Sequence, residues 1–309
     1  MMQRFFITES GIGQESSRSP GAVLVIGNLD GVHKGHTGLL EQAKQLAAEQ
    51  GVPAAVMTFS PHPRLFFQPD APPFLLTDDD SKAALLEENG IDCLYSVQFT
   101  AALAEMSAID FIRELLVGTV GCGTVMVGED FRFGKNRLGD TDILRQAGEA
   151  YGFTLQTLPL ITTGAGGAIS SSRIRDHLRN GEIAAANALL GYRRTYPVHV
   201  LDGQEDNSGL TCLSAKPASP ALLLPKAGGY TGFAQITETG TTVKTPFKVF
   251  ILHNGPDLVK ISYDARFFTA PVAAGARLDL QPEEQTDTQD IPACTAEWLA
   301  QQEHKRESL

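Results

Sequence analysis

The sequence lacks any long apolar segment, and its first residues form no continuous hydrophobic stretch. No uninterrupted apolar run approaches the roughly 18 residues that a membrane-spanning helix needs. Residues 1–10 are too often interrupted by polar side chains to form the apolar core of a signal peptide. We therefore expect a cytoplasmic protein that does not act at a membrane.

Closely spaced cysteines and an excess of positive charge are also missing. The four cysteines, Cys93, Cys122, Cys212 and Cys294, are too widely scattered for a zinc knuckle or a redox motif, so we expect reduced thiols. The net charge of −11 argues against nucleic acid as a partner, because such surfaces need a positive footprint. A polyanion must therefore be held by a few cationic groups, backbone N–H groups and a divalent cation.

The most informative segment is the run 27–36, Gly-Asn-Leu-Asp-Gly-Val-His-Lys-Gly-His, which follows an apolar stretch at 22–26. His33 and His36 flank Gly35 where a predicted strand gives way to a helix. Helix N-termini carry unpaired N–H groups and partial positive charge, and imidazoles can donate hydrogen bonds to a phosphoryl group. Because Walker A, Rossmann glycine and His-Glu-x-x-His zinc motifs are all absent, the run predicts a phosphate site of another kind.

The apolar pattern predicts two domains. Strand-like runs alternate with amphipathic helical stretches from residue 22 to about 160, which indicates a parallel sheet with helices on both faces. After residue 191, short β-type segments that include 221–224 predict an antiparallel barrel, followed by a helix near 295–304. We predict an α/β domain at 1–190 and a smaller barrel domain at 191–309.

Two further segments follow predicted strands at the same edge of the sheet. Pro61 and Pro63 fix the backbone around His62, which suits either a ligand or simply a rigid exit from the strand. Phe131 and Phe133 bracket an arginine in a glycine-bounded loop. They can cover a planar ring system or fold inward as core.

A run of serines precedes a predicted helix at residue 173. Ser170, Ser171 and Ser172 can cap that helix, or they can offer hydroxyl and N–H groups to phosphate. Arg175, one turn further on, can add a two-pronged contact to phosphate oxygens. An ordinary cap followed by a solvated charged face explains the same residues.

Taken in order over about residues 20 to 190, these four motifs resemble the bacterial FAD synthetase (FMN adenylyltransferase) module of the bifunctional riboflavin kinase/FAD synthetase family. Leu29, Ser60 and Ser172 stand where that family usually has Phe, Glu and Thr, and each leaves the proposed contacts feasible. The resemblance implies a Rossmann-like HxGH nucleotidyltransferase that transfers the adenylyl group of ATP to FMN, giving FAD and pyrophosphate.

The resemblance also implies roles for individual residues and ligands. Mg²⁺ enters with ATP and no protein metal ligand is assigned, FMN is the substrate and FAD the product, and the oligomeric state is left open. The implied catalytic residues are His33, His36 and Arg175; those for ATP are Gly27, Asn28, Asp30, Gly35, Ser170, Ser171 and Ser172; those for flavin are Pro61, His62, Pro63, Asp130, Phe131, Phe133 and Arg137.

The second domain departs from the family pattern. Residues 214–219 stand where the kinase barrel has Gly-x-Pro-Thr-Ala-Asn, and Lys248 stands where a glutamate serves as the base. A lysine does not replace a carboxylate base at neutral pH without a large depression of its pKa, so we predict that riboflavin kinase activity is lost.

Three alternatives stay open at this point. One is a bifunctional enzyme that keeps its kinase activity. Another is an HxGH nucleotidyltransferase that acts on nicotinamide mononucleotide, phosphopantetheine or a cytidylyl acceptor, which the segments at 61–63 and 130–134 disfavour. The third is a flavin or nucleotide sensor without turnover.

Overall fold

The structure, a computed structural model, describes residues 1–11, 19–159, 162–163, 167–205, 210–226, 228–238, 241–251, 259–264 and 276–286. The chain forms two compact units. The first comprises Met1–Ala71 and Asp79–Ser170, and the second comprises Pro72–Asp78 and Ser171–Leu309.

This division differs from the predicted boundary at residue 190. Helices α7 (Ser171–Asn180) and α8 (Ile183–Leu190) pack on each other, and α8 packs on a strand of the second unit. The stretch 72–78 joins the same unit because the backbone N–H groups of Phe74 and Leu75 both donate to the carbonyl of Ala221.

The first unit is built on a six-stranded sheet in the order β1-β4-β3-β2-β5-β6, in which every neighbouring pair is parallel. Parallel pairing places the carboxyl ends of all these strands at one edge. The strands are β1 (Gln3–Ile7), β2 (Val23–Ile26), β3 (Ala54–Ser60), β4 (Cys93–Gln98), β5 (Thr124–Gly128) and β6 (Thr154–Leu158).

Helices cover both faces of this sheet. Short 3₁₀ turns lie at Glu9–Gly11 and Lys135–Arg137, and β7 (Thr162–Thr163) pairs with β8 (Gly167–Ala168) in an antiparallel bridge of two residues each. The helices are α1 (Lys34–Gln50), α2 (Pro63–Phe67), α3 (Asp79–Glu88), α4 (Ala101–Glu105), α5 (Ala108–Phe111), a π-helical segment (Ile112–Val120) and α6 (Thr141–Tyr151).

Alternate side chains of the central strand β2 enter two separate cores. Val23 and Val25 pack in the core that α1 and α3 cover. Leu24 and Ile26 pack in the core that the π-helical segment and α6 cover. Since burying one such side chain contributes about 1.5–3 kcal/mol, β2 is firmly fixed and with it the start of the turn that follows.

The second unit contains a closed antiparallel barrel with the strand order β10-β13-β12-β11-β14-β9. Closure leaves this sheet without a free edge. The strands are β9 (Tyr196–Glu205), β10 (Leu210–Pro217), β11 (Gly228–Glu238), β12 (Thr241–Ile251), β13 (Val259–Asp264) and β14 (Arg277–Thr286).

The predicted α/β fold with a following antiparallel barrel is confirmed. Strands β1 and β10 were not predicted, and the strand predicted at 221–224 is wrong, because only Leu222 forms an isolated bridge there, to Leu75. The helix predicted near 295–304 lies outside the described residues. Within the described part of the chain, no helix is long and apolar enough to cross a membrane.

Arg194 secures the stretch 72–78 within the second unit. It is 2% exposed, and its guanidinium donates to the carbonyls of Leu76, Leu223 and Leu75 at 2.8, 2.7 and 3.2 Å. The guanidinium also lies over the ring of Tyr196 at 4.2 Å. One side chain therefore donates to three backbone carbonyls, and the Leu75 carbonyl also accepts from the N–H of Leu223 at 2.9 Å.

Replacing Arg194 with Met should destabilise the second unit by about 3 kcal/mol, because three backbone carbonyls each lose a charged donor at once. Thermal and urea unfolding measure the change. The matched control is Arg179→Met in α7, where an exposed pair with Asp176 contributes less than about 1 kcal/mol. Equal unfolding midpoints for the two variants would show that the three carbonyl contacts are unimportant.

Candidate active site

The candidate site lies where three neighbouring strands end. β2 pairs with β3 on one side and with β5 on the other, so the turns that follow Ile26, Ser60 and Gly128 all leave the same edge of the sheet. Ligands of open parallel sheets bind at this edge, where strand order diverges from chain order. Within the first unit, the structure therefore brings three of the four predicted motifs to one edge.

The turn between β2 and α1 has a strained backbone. Leu29, Gly31 and Val32 have positive φ angles of 45°, 84° and 36°. Such values are unfavourable for a leucine and especially for a β-branched valine. Both side chains are buried, at 3% and 0% exposure, so packing holds the turn in this conformation. The tight turn, which the Val32 N–H closes on the Leu29 carbonyl at 3.1 Å, sets the position of His33.

The two histidines stack at the start of α1. His33 is the N-cap residue, and its carbonyl accepts from the N–H groups of His36 and Thr37 at 2.6 and 2.9 Å. The imidazole centroids are 3.6 Å apart and the ring planes differ by 16°. Two rings at this distance cannot both carry a positive charge without strong repulsion. The pair therefore carries at most one positive charge, and a neutral imidazole keeps one N–H donor.

Electrostatics holds the His36 imidazole in its neutral form. Part of the residue reaches solvent, but its Nδ1 atom is buried and has no hydrogen-bond partner among the described residues. Burial of the ring, followed by the charges of His33 and Lys82, lowers the pKa of His36 well below 6.5. At neutral pH this side chain acts as a hydrogen-bonding group and not as a cation.

Gly35 allows the close approach on which this geometry depends. A Cβ atom at this position would lie 3.0 Å from Cε1 and Nδ1 of His33 and 3.1 Å from the carbonyl oxygen of Ile169. Because one of these neighbours is backbone, it cannot swing aside. The glycine between the two histidines thus lets the segment before Ser170 pass beside the turn.

Lys82 is a member of this site that the sequence motifs did not reveal. Its residue is 4% exposed, and its Nζ donates to Oγ1 of Thr58 at 3.4 Å. The Thr58 hydroxyl in turn donates to the carbonyl of Asn28 at 3.1 Å. Lys82 therefore connects α3 and β3 with the histidine turn. Lys82 stands out only because it is a buried lysine on a helix close to the turn, and its burial is not visible in the sequence.

The Pro-His-Pro segment begins α2 directly after β3. The bond between Ser60 and Pro61 is cis, Pro63 occupies the first helical turn, and Nδ1 of His62 accepts from the backbone N–H of Arg64 at 3.1 Å. His62 is thus the cap of this short helix. A ligand role for His62 stays a prediction, and Nδ1 already has a structural partner.

The loop after β5 folds one of its two phenylalanines inward. Phe133 is 6% exposed, lies in the core, and forms an isolated antiparallel bridge with Gly139. Phe131 is partly buried and stacks on Phe133, with ring centroids 5.5 Å apart. The exposed residues Asp130 and Arg137 lie in the same loop. The inward-facing alternative thus describes Phe133, while Phe131 is only partly buried.

A chain of aromatic rings extends along this edge, and the sequence motifs did not predict it. Phe67 is 64% exposed, and its ring lies 5.7 Å from that of Phe99, which in turn lies 6.1 Å from Phe59. Phe59 continues the chain through Phe111 to Phe133, at 6.3 and 5.4 Å. An exposed large ring backed by others offers a face for a planar ligand.

The serine run is divided between the two units, and the arginine lies in the second. Ser170 ends the first unit, whereas Ser171, Ser172 and Arg175 lie in the first turns of α7 in the second unit. Nε of Arg175 donates to the carbonyl of Phe74 at 2.7 Å, and its guanidinium lies 5.4 Å from the centre of the Phe74 ring. Phosphate roles for these residues stay predictions.

The residues of the described ranges include no group of three or more His, Cys, Asp or Glu side chains that could hold a metal ion. The prediction that Mg²⁺ enters with ATP, without an assigned protein ligand, stays untested.

Comparison with known proteins decides the family. The FAD synthetase family matches residues 15–173, which is more than half of the chain. The chain belongs to the FAD synthetase family. All three predicted motifs of the first unit, together with Lys82, lie inside the matched residues, as does the start of α7.

Curated relatives give the same result. The bifunctional riboflavin kinase/FMN adenylyltransferase of Escherichia coli strain K12 is 38% identical over 185 residues, which cover 60% of this chain and 59% of that protein. The protein of the same description from Listeria monocytogenes is 33% identical over 211 residues, covering 67% of this chain and 66% of its own. The match thus spans about three fifths to two thirds of the length of these relatives.

A solved structure has the same fold. A crystal structure described as a macrolide-efflux protein from Streptococcus pneumoniae superposes with a TM-score of 0.74 and covers 99% of this chain and 98% of its own. At 21% sequence identity, this likeness shows the fold alone.

Folding stability should fall as the pH is lowered below 6.5. Because the pKa of His36 is lower in the folded than in the unfolded state, the unfolded chain binds more protons between those two values. The stabilisation is fully present above pH 6.5 and is lost, at up to about 1.4 kcal/mol per pH unit, as the pH falls toward the folded-state pKa. Thermal unfolding between pH 8 and pH 5 measures the slope.

His36→Gln should reduce this pH slope, since glutamine does not titrate. The wild-type protein, unfolded in the same buffers, is the reference. An unchanged slope in His36→Gln would contradict the lowered pKa.

Proposed function

We propose that this chain is an FMN adenylyltransferase, which transfers the adenylyl group of ATP to FMN and forms FAD and pyrophosphate. The observation that carries this proposal is the stacked histidine pair at the N-terminus of α1, in a chain of the FAD synthetase family. Helix N-termini of this kind attract phosphate groups.

The reaction needs little covalent chemistry from the protein. A phosphate oxygen of FMN, already an anion, forms a bond to the α-phosphorus of ATP, and the bond from that phosphorus to the bridging oxygen of the β-phosphate breaks. Pyrophosphate leaves with the electron pair. Because no proton has to be removed from the nucleophile, the site requires positioned donors and positive charge, with no general base.

His33 and His36 supply the donors in this scheme. Each imidazole offers an N–H to the phosphate oxygens that gain charge as pyrophosphate leaves. The backbone around Gly27, Asn28 and Asp30 lies in the same turn, and Gly35 lets the chain at Ile169 pass close to His33. Mg²⁺ enters as part of the MgATP substrate, because Mg²⁺ readily takes phosphate oxygens and water as ligands.

Ser170, Ser171, Ser172 and Arg175 are proposed to hold the remaining phosphates of ATP. Ser170 follows the segment that passes beside Gly35, and the chain continues directly into α7. The Phe74 carbonyl accepts from Nε of Arg175 and orients the guanidinium, whose two terminal nitrogens suit phosphate oxygens.

For the flavin, we propose the segment 61–63 and the loop 130–137 as the region of contact. Phe131 is a better candidate for the isoalloxazine ring than Phe133, since Phe133 is buried in the core. Phe67 is added here because its ring is exposed at the same edge. FMN and ATP are thus the proposed small-molecule partners, and we expect the protein to work in the cytoplasm.

Incubation of the purified protein with FMN and MgATP should yield FAD and pyrophosphate, which chromatography and a pyrophosphate assay detect. His36→Ala should lower kcat/KM by about 10²-fold or more, because it removes a donor to the developing charge. His199→Ala serves as the matched control and should keep the wild-type rate. Tight binding of FMN and ATP without any FAD would favour a sensor, and a normal rate in His36→Ala would exclude the role of that residue.

We further propose that the barrel has lost riboflavin kinase activity. Residues 214–217 lie in β10, where Ser214 and Ala215 are buried and the register with β9 shifts between them. Lys248 lies in β12 at the position where the family has its catalytic glutamate. Neither segment retains the residues that family members use for Mg-ATP and for proton removal.

Riboflavin and MgATP incubated with the protein should therefore give no FMN above background. The same preparation must convert FMN to FAD, which shows that the protein is active. Rapid formation of FMN would contradict the loss and would identify a bifunctional enzyme.

A further inference from the structure

Lys82 is a buried cation beside the histidine pair, and no part of the proposed reaction has used it so far. Its side chain is 5% exposed, while that of its ionic partner Asp79 is 62% exposed, with 3.7 Å between Nζ and Oδ1. Burying an ammonium group costs several kcal/mol unless its charge is well compensated. One largely solvated carboxylate compensates this charge only in part.

Hydrogen bonds fix the ammonium in place. Nζ donates to the Thr58 hydroxyl at the end of β3, and Thr58 is itself 2% exposed. Asp79 is also held, because the Ser60 hydroxyl donates to its other carboxylate oxygen. Thr58, Ser60 and Asp79 therefore fix the position of the lysine. The Thr58 hydroxyl links the ammonium group to the carbonyl of Asn28 in the turn.

The neighbouring groups show what this charge acts on. The Lys82 charge reaches His36 and helps to keep it neutral, as does His33. A phosphate chain bound at the turn would therefore meet a neutral His36 ring, which gives a hydrogen bond but no net charge. With a net charge of −11 on the whole protein, a polyanion needs a cation close by.

We propose that Lys82 is the fixed positive charge of the phosphate site, held by Thr58 and Asp79 so that its ammonium offsets the charge of a phosphate chain bound at the histidine turn. This assignment rests on the proposed function, which supplies MgATP as the substrate. The binding of an anion by Lys82 rests on the geometry of the site alone. The assignment gives the imidazoles the task of donating hydrogen bonds and the lysine the task of neutralising charge.

The decisive variant is Lys82→Met, which keeps the length of the side chain and removes its charge. Methionine suits a buried position, so the fold should persist, and thermal unfolding checks this. Magnesium pyrophosphate, titrated calorimetrically, is the probe and requires no FMN. We expect its Kd to rise about tenfold or more in Lys82→Met, and the KM for MgATP to rise with it. Lys82→Arg should retain part of the affinity.

A matched control tests a lysine of the same kind away from the site. Lys44 in α1 also forms an i,i+3 pair, with Glu41, and lies in the same unit. Lys44→Met should bind pyrophosphate like the wild type. NMR titration of the His36 ring gives a second readout that a merely structural lysine would not move: the pKa of His36 should rise in Lys82→Met and stay unchanged in Lys44→Met.

The outcomes separate this inference from the proposed function. A folded Lys82→Met variant with wild-type Kd and an unmoved His36 pKa overturns the role of Lys82 and leaves FAD formation untouched. Wild-type protein that does not bind pyrophosphate overturns it as well. Wild-type protein that binds pyrophosphate in a Lys82-dependent manner but forms no FAD supports the role of Lys82 and removes the proposed reaction.

Discussion

Parallel pairing of β2 with both β3 and β5 is the constraint on which the rest of the site depends. The connections that follow β2, β3 and β5 therefore leave the same edge of the sheet, so residues far apart in sequence become neighbours. Burial of β2 on both faces fixes where the strand ends to within one residue, since a one-residue shift would exchange its two cores. The position of the histidine turn is fixed equally well, because the turn follows β2 directly.

The turn uses this rigid frame to hold an unfavourable backbone. Positive φ angles at Leu29 and Val32 persist because their side chains are packed in the core. The result is a pair of imidazoles stacked at a helix N-terminus, where they are too close for both to be protonated. In the proposed function, the imidazoles donate hydrogen bonds and Lys82 compensates charge.

Much of this was predictable because it depends on local pattern. Apolar periodicity predicted the parallel sheet and the antiparallel barrel. Ser107 and Asp140, residue types that favour helix N-caps, accept cap hydrogen bonds at the starts of α5 and α6. Strand β1 was missed because its polar residues are tolerated at a sheet edge, which leaves little pattern to detect. The boundary of the compact units was displaced because α7, α8 and residues 72–78 join the second unit through contacts distant in sequence.

The sequence by itself determined which chemical groups are available: two histidines around a glycine, a Pro-His-Pro segment, aromatic residues and a serine-arginine run. Only the tertiary structure decided how these groups are used. It turned Phe133 into the core, gave His62 a helix to cap, and buried Lys82 beside His36. The physical reason is that burial and mutual distance set the charge state of a side chain, and both arise from packing between segments that the local pattern does not connect.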